Sequence, residues 1–224
     1  MALRLTPFVP GEWYHCYSRG VEKRKIFLDV SDYNRFLHVL YLGNSKTSIH
    51  RSTLRGVSSA DILSTKRGAP LVAVGGYCLM PNHFHLLLQE AVEGGISAFM
   101  QKIGTAYSMY FNIRYEHAGG LFAKPFKSKH ITDDRYLRRV AQYIHLNPAE
   151  LFESGWKHGD VKNMRALENK LMQYRYCSFM DYYGTDRVEK AILDKDALEL
   201  IGDGLPSLAS MLKETQEYYQ ELGG

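Results

Sequence analysis

Residues 70–90 constrain the fold more than any other part of the chain. Two apolar runs, Pro70–Met80 and His83–Glu90, meet at Met80-Pro81-Asn82, a tripeptide suited to a turn. Such a pair predicts an antiparallel hairpin. The second run opens His83-Phe84-His85-Leu86-Leu87-Leu88. Successive side chains on a strand point to opposite faces, so His83 and His85 share one face while Phe84 and Leu86 take the other. Two neutral imidazoles side by side make half of a divalent-metal site. The same pattern describes two polar residues on the open face of a sheet, and the hairpin leaves both readings open.

The segments around the hairpin complete an order of elements. Trp13–Ser18 alternates and is rich in Trp and Tyr, which predicts a strand ending at Arg19-Gly20. Residues 29–41 predict a helix capped by Ser31, with Tyr33, Phe36, Leu37, Leu40 and Tyr41 as its apolar stripe and Gly43 as its stop. Residues 44–69 are polar, basic and weakly periodic, as expected of a loop insertion. A long helix is expected over Ile96–Ile113, then a break at Gly119-Gly120 and a strand near Pro125–Ile131. Thr132 should cap the next helix, with Asp133 and Asp134 in its first turn complementing the dipole. Pro148 disfavours α geometry in the residue before it, so that helix should end at Asn147.

The order β-α-β-β-α-β-α predicts an α+β fold, a ferredoxin-like split βαβ sandwich whose antiparallel sheet carries helices on one face, with one helix added. Residues 1–150 should form this domain. Residues 151–224 should form a C-terminal accessory helical region, with helices over 187–201 and 206–222 and an ordered return to the body at Tyr174–Ser178.

Net charge is modest, but it is unevenly placed. Six cations between residues 123 and 139 face two acids, and five between 44 and 69 face Asp61 alone, whereas residues 187–224 are acidic. A basic front with an acidic tail points to a polyanionic partner. Arg19, Lys23, Arg24 and Lys25, just past the first strand, are placed to meet phosphate, and so are Lys124, Lys127, Lys129 and Arg138. The insertion lacks interleaved aromatics, so contact with backbone or a hairpin stem suits it better than base stacking. With no long apolar span and no signal-peptide pattern, no membrane role is expected, and the chain reads as cytoplasmic. Three cysteines without metal spacing read as reduced thiols.

Tyr143-Ile-His-Leu-Asn147-Pro148 supplies what the histidine pair lacks. Tyr143 and Asn147 stand four residues apart, on one helix face, beside the buried stripe Leu137, Val140, Ala141 and Ile144. Asn147 offers an amide oxygen at the electronegative helix end, a setting that favours a cation. Two imidazoles and an amide oxygen suit Mn²⁺ or Mg²⁺ with positions left for water and phosphate. A metal that polarises a phosphodiester and a phenol that attacks it together make a tyrosine transesterase. Tyr107 and Tyr110 are rival phenols, although their spacing fits a packed stripe. His145 falls about 200° round the helix from Tyr143, toward surface or DNA. His15 could approach from a neighbouring strand, and Glu90 could lend a carboxylate.

These motifs together resemble the single-tyrosine HUH transposases. Gly76-Tyr-Cys-Leu-Met-Pro-Asn-His-Phe-His85, Gly119-Gly-Leu-Phe-Ala-Lys-Pro-Phe-Lys-Ser128, Tyr143-Ile-His-Leu-Asn-Pro148, Tyr14-His-Cys-Tyr-Ser-Arg-Gly20 and Ile26-Phe27 carry the likeness. It covers about residues 8–150 and is nearest to the REP-associated tyrosine branch of IS200-like enzymes. The resemblance implies a metal-dependent endonuclease and strand transferase acting on single-stranded DNA, often with a hairpin beside the cut. It places His83 and His85 as metal ligands, Asn147 as the residue completing the metal site and Tyr143 as nucleophile. A 5′-phosphotyrosine adduct with a free 3′-OH is the implied product, formed by a monomer or a homodimer. Where the family commonly has Gly-Arg, this chain has Lys124-Pro125, and a lysine meets phosphate only as a point charge. The alternative function is a domesticated module that binds DNA hairpins without cutting. A hydrolase of small phosphoesters would need a base for water that these motifs do not supply.

Overall fold

The computed structural model describes residues 7–47, 56–158, 161–202 and 206–223. Strand β1 (Trp13–Arg19) leads through a turn at Val21–Lys23 into helix α1 (Val30–Gly43), and a short helix α2 (Ser59–Ser64) follows. The hairpin β2 (Val72–Met80) and β3 (His83–Glu90) leads to α3 (Gly95–Arg114), β4 (Lys127–Ile131) and α4 (Asp134–Leu146). The sheet is antiparallel with strand order β2-β3-β1-β4, the ferredoxin-like arrangement expected from the element order.

Alternation in the strands separates two cores. Tyr14, Cys16, Phe84, Leu86 and Leu88 face α1 and α3, and Phe36, Leu40, Phe99, Ile103 and Tyr107 close over them. The opposite face presents Cys78, Met80, Leu87 and Ile131 to Leu137, Val140, Ala141 and Ile144 of α4. Full burial of each such large apolar side chain contributes roughly 1.5–3 kcal/mol. The helices of the two βαβ halves thus share one face, and the added helix α4 takes the other. At Gly75 the register of β2 shifts, and a Cβ there would lie 2.7 Å from Trp13 Cζ3, so glycine lets that ring lie against the strand.

Two caps differ from expectation. Helix α1 is capped by Asp29, not Ser31: the Asp29 carboxylate accepts from Ser31 N at 2.8 Å and Asp32 N at 3.2 Å, and Asp32 reaches back to Asp29 N. Ser31 already lies in the first turn. Helix α4 is capped by Asp133, which accepts from Tyr136 N at 2.8 Å, rather than by Thr132, whose hydroxyl instead donates to Asp133 Oδ2 at 3.2 Å. The centre of the basic insertion, residues 48–55, lies outside the described residues. Within the rest of it Ser58 caps α2, whose Ile62 and Leu63 are buried.

Beyond Pro148 the chain folds back over α4. Ala149, Trp156, Leu167, Leu171, Phe179, Ile201, Met211 and Leu212 join the core on that face. They come from helices α5 (Ala149–Phe152), α6 (Met164–Gln173), α7 (Phe179–Tyr182), α8 (Lys195–Gly202) and α9 (Leu208–Gly223), and from the turn Trp156–His158. The one helix expected over 187–201 is broken, because Asp194 accepts from Asp196 N and Ala197 N, both at 3.1 Å, and starts α8 there. Along the outer edge of β2, Leu79 N donates to Tyr176 O and Ser178 N to Tyr77 O, both at 2.9 Å.

Candidate active site

The site stands where β1, β3 and α4 meet. In the β1–β3 register Arg19 lies opposite His83 and Tyr17 opposite His85, and β4 sets Lys127 opposite Tyr17 and Lys129 opposite His15. Directly opposed residues share a face. His83, His85, His15, Tyr17, Arg19, Lys127 and Lys129 therefore all stand on the side of the sheet that α4 covers.

His83 and His85 stand with ring centroids 5.0 Å apart, nearly perpendicular. Tyr143 comes down from α4 so that its ring lies 5.6 Å from His85 and 5.7 Å from His15. Asn147, one turn on, donates from Nδ2 to Tyr143 O at 2.8 Å, which turns its Oδ1 away from that carbonyl. The phenol and the histidine pair thus meet within one chain.

Each of the two histidines has its Nδ1 engaged. His83 Nδ1 is 2.7 Å from Asn82 Oδ1, and His85 Nδ1 is 2.8 Å from His15 Nε2. Burial and the nearby Arg19 charge push His83 down to about 4. His85 is held well below the ordinary imidazole value by burial and by its two histidine neighbours, and His15 is pushed down to about 4 by burial and Lys129. All three are neutral at pH 7. A neutral imidazole that donates from Nδ1 leaves its Nε2 lone pair open to a metal ion.

Among the described residues, no group of three or more His, Cys, Asp or Glu side chains could hold a metal ion. The donors present are instead two imidazoles with an amide beside them, a set that fits a divalent ion sharing its remaining positions with water and phosphate.

Several residues of this face were only partly legible in sequence. His15 could be placed near the site from sequence, but its bond to His85 depends on a strand pairing that one sequence does not reveal. Tyr17 sits 5.7 Å from His85 and is a second phenol at the site. Glu150 and Lys157, an ion pair at 2.9 Å, come from the chain beyond Pro148, and their charges act on His83 in opposite senses. No motif signals them.

Other candidates lie elsewhere. Tyr107 O–H donates to Ile26 O at 2.6 Å and Tyr110 O–H to Asp32 Oδ1 at 2.9 Å, both from α3 across the sheet. Glu90 is spent at the start of α3, accepting from Ile96 N at 2.6 Å. His145 is not at the surface: it is fully buried, with Nε2 2.9 Å from Ser178 Oγ, because the C-terminal segment covers that side of α4. Of the basic residues, Arg19, Lys127 and Lys129 line the site. Lys23 and Arg24 occupy the turn past β1, where Lys23 O accepts from Asn82 Nδ2 at 3.2 Å. Lys124 follows Ala123, whose N–H donates to Arg19 O at 2.8 Å. Arg138 is on the exposed side of α4, about 140° round its axis from Tyr143.

No helix among the described residues is long and apolar enough to cross a membrane. No curated protein matches the chain. A solved structure of a REP-associated tyrosine transposase bound to a REP hairpin is similar in fold, with a TM-score of 0.51 at 14% identity over 84% of this chain and 90% of that one. Residues 35–147, just over half of the chain and including His83, His85, Tyr143 and Asn147, match the family model for IS200-like transposases. With that span matched and the ferredoxin-like sheet in place, the chain belongs to the IS200-like transposase family, a family of DNA-processing enzymes.

Proposed function

We propose that this chain cuts single-stranded DNA and transfers the cut strand through a covalent 5′-phosphotyrosine at Tyr143, at DNA ends that carry a hairpin. The observation that carries the reading is the approach of Tyr143 to His85, 5.6 Å ring to ring in a single chain. The Tyr143 phenolic oxygen attacks the scissile phosphorus. An O–P bond forms, the bond to the 3′ oxygen breaks, the phenolic proton departs and the 3′ oxygen takes one up. Because a phenol has a pKa of roughly 10, the tyrosyl phenolate is a good leaving group when a 3′-OH later attacks the phosphotyrosine, so strand joining remains open.

His83 and His85, with Asn147, would hold Mg²⁺ or Mn²⁺. When bound, that ion supplies Lewis-acid polarisation of the phosphodiester. Arg19, Lys127 and Lys129 provide charge for the DNA backbone on the same face, and Lys23, Arg24 and Lys124 extend it past the end of β1. Arg138, on the outer side of α4, is placed for a flanking contact only. The hairpin partner is supported by the fold neighbour, which is itself bound to one. A substrate of this kind puts the protein with the chromosome in the cytoplasm.

The test is adduct formation on a hairpin-bearing single-stranded oligonucleotide with Mn²⁺, read as a covalent protein–DNA band. Tyr143→Phe should lower the adduct on the order of 1,000-fold or more while hairpin binding persists, and Tyr17→Phe should retain it. An undiminished adduct in Tyr143→Phe, or its loss only in Tyr17→Phe, would overturn the assignment. Hairpin binding with no cleavage by the unaltered protein would favour the non-cutting module.

A further inference from the structure

We infer that His15 is a positioning residue that fixes the tautomer of His85, as Asn82 fixes that of His83. This rests on the metal-site reading above. The argument starts at Lys23. Its carbonyl can only accept, so the Asn82 amide turns Nδ2 toward it, at 3.2 Å. The other end of that amide, Oδ1, therefore faces His83 Nδ1 at 2.7 Å, and it too can only accept. His83 must carry its proton on Nδ1, which leaves the Nε2 lone pair free.

His85 needs the same arrangement for both imidazoles to present Nε2 to one ion. Its Nδ1 lies 2.8 Å from His15 Nε2, so a proton on His85 Nδ1 requires an unprotonated acceptor at His15 Nε2. A neutral His15 with its proton on Nδ1 supplies that acceptor. It is largely buried on β1, edge to edge with His85 (ring centroids 5.0 Å apart, planes within 25°), and tilted at 5.0 Å against Tyr17. Its Nε2 is spent on His85 and so is not a third ligand. A buried acceptor of this kind orients a metal-binding imidazole and raises its basicity, and its loss typically weakens metal binding 10–100-fold. The usual partner is a carboxylate or a carbonyl, and here an imidazole does the same work from the neighbouring strand.

Three measurements test this. In the unaltered protein, side-chain ¹⁵N shifts should report both His83 and His85 protonated at Nδ1, and a His85 protonated at Nε2 would overturn the inference without any variant. Mn²⁺ affinity, followed by the paramagnetic resonance signal of the free ion, should then fall 10–100-fold in His15→Phe, which keeps a ring but removes the acceptor. His15→Gln, whose Oε1 can accept from His85 Nδ1, should bind Mn²⁺ within about threefold of the unaltered protein. Thermal melting of each variant separates lost positioning from lost folding. Unchanged affinity in His15→Phe, or a His15→Gln that is folded yet as weak as His15→Phe, would sink the inference and leave the metal site standing. An unaltered protein that binds Mn²⁺ no better than His83→Ala would take down both readings.

Discussion

At His145 an imidazole has no exposed surface, and burial with the nearby Arg187 charge pushes it down to about 3. In the unfolded chain it protonates at its ordinary value of roughly 6.5. Below that pH the unfolded state therefore binds the extra proton, so stability is intact above about pH 6.5 and falls as the pH drops toward about 3. For this residue alone the loss at pH 5 is about 2 kcal/mol. Urea denaturation at pH 7.5 and pH 5 should show a clear loss in the unaltered protein and a smaller one in His145→Gln, which can still donate to Ser178 Oγ. Equal losses would show that His145 is not the group responsible. The same residue marks what sequence could say at this scale. Its angle from Tyr143 followed from helix geometry, but its surroundings depend on Ser178, 33 positions away in the chain. His83, His85 and Tyr143 were legible because strand and helix periodicity place them without reference to distant chain. His15 needed a partner strand to acquire meaning.

Helices α1 and α3 are tied by one carboxylate. Asp32, with no exposed side-chain surface, accepts from Leu28 N at 2.8 Å, Tyr110 O–H at 2.9 Å, Tyr115 O–H at 2.8 Å and Arg114 Nη1 at 3.2 Å. Arg114 also reaches Asp29 at 2.5 Å. Asp32 is the buried member, whereas Arg114 is partly exposed and keeps Asp29, so the loss falls on the hydrogen bonds the carboxylate accepts. Asp32→Asn should lower unfolding free energy by about 2–3 kcal/mol in denaturant titration, with far-ultraviolet helicity of the folded state preserved. A change under about 1 kcal/mol would mean that the tyrosines and Arg114 find other partners. Element types and order were readable, since the stripes of α1, α3 and α4 and the alternation of β1 and β3 are strong. The caps were not. Thr132, Asp133 and Asp134 can all cap, and the choice is made where β4 ends its pairing with β1 at Ile131. Helix α2 has only six residues and two buried apolar side chains, too few for a period to show.

The molecule as a whole packs α4, the helix that carries Tyr143, between the sheet and its own C-terminal third. Ile144 and Val140 face the strands, and Met211 and Leu212 of α9 join the same core, so α4 is held against the sheet of the chain that carries it. An active centre assembled within one chain needs no part of a second copy. Mixing Tyr143→Phe protein with a His83→Ala/His85→Ala double variant should therefore produce no covalent adduct beyond the sum of the two alone. Recovery of adduct in the mixture would require tyrosine helices to exchange between chains. The sequence left this point open, because a helix and a sheet face can be recognised separately without indicating whether they meet in one copy.

The edge of β2 has a consequence for synthesis. Its pairing with Tyr176–Ser178 joins residues 101 positions apart, as in the bond between Ser178 Oγ and Tyr77 O. At roughly 5–20 residues per second, the ribosome adds that stretch in about 5–20 s. Once β3 has followed, the hairpin waits for the rest of this interval without the segment that closes it, and an open strand edge is a template for any other extended chain. The nascent protein is thus most exposed to mispairing after β2 emerges and before Ser178 does, a window set by chain order rather than by the stability of the finished fold.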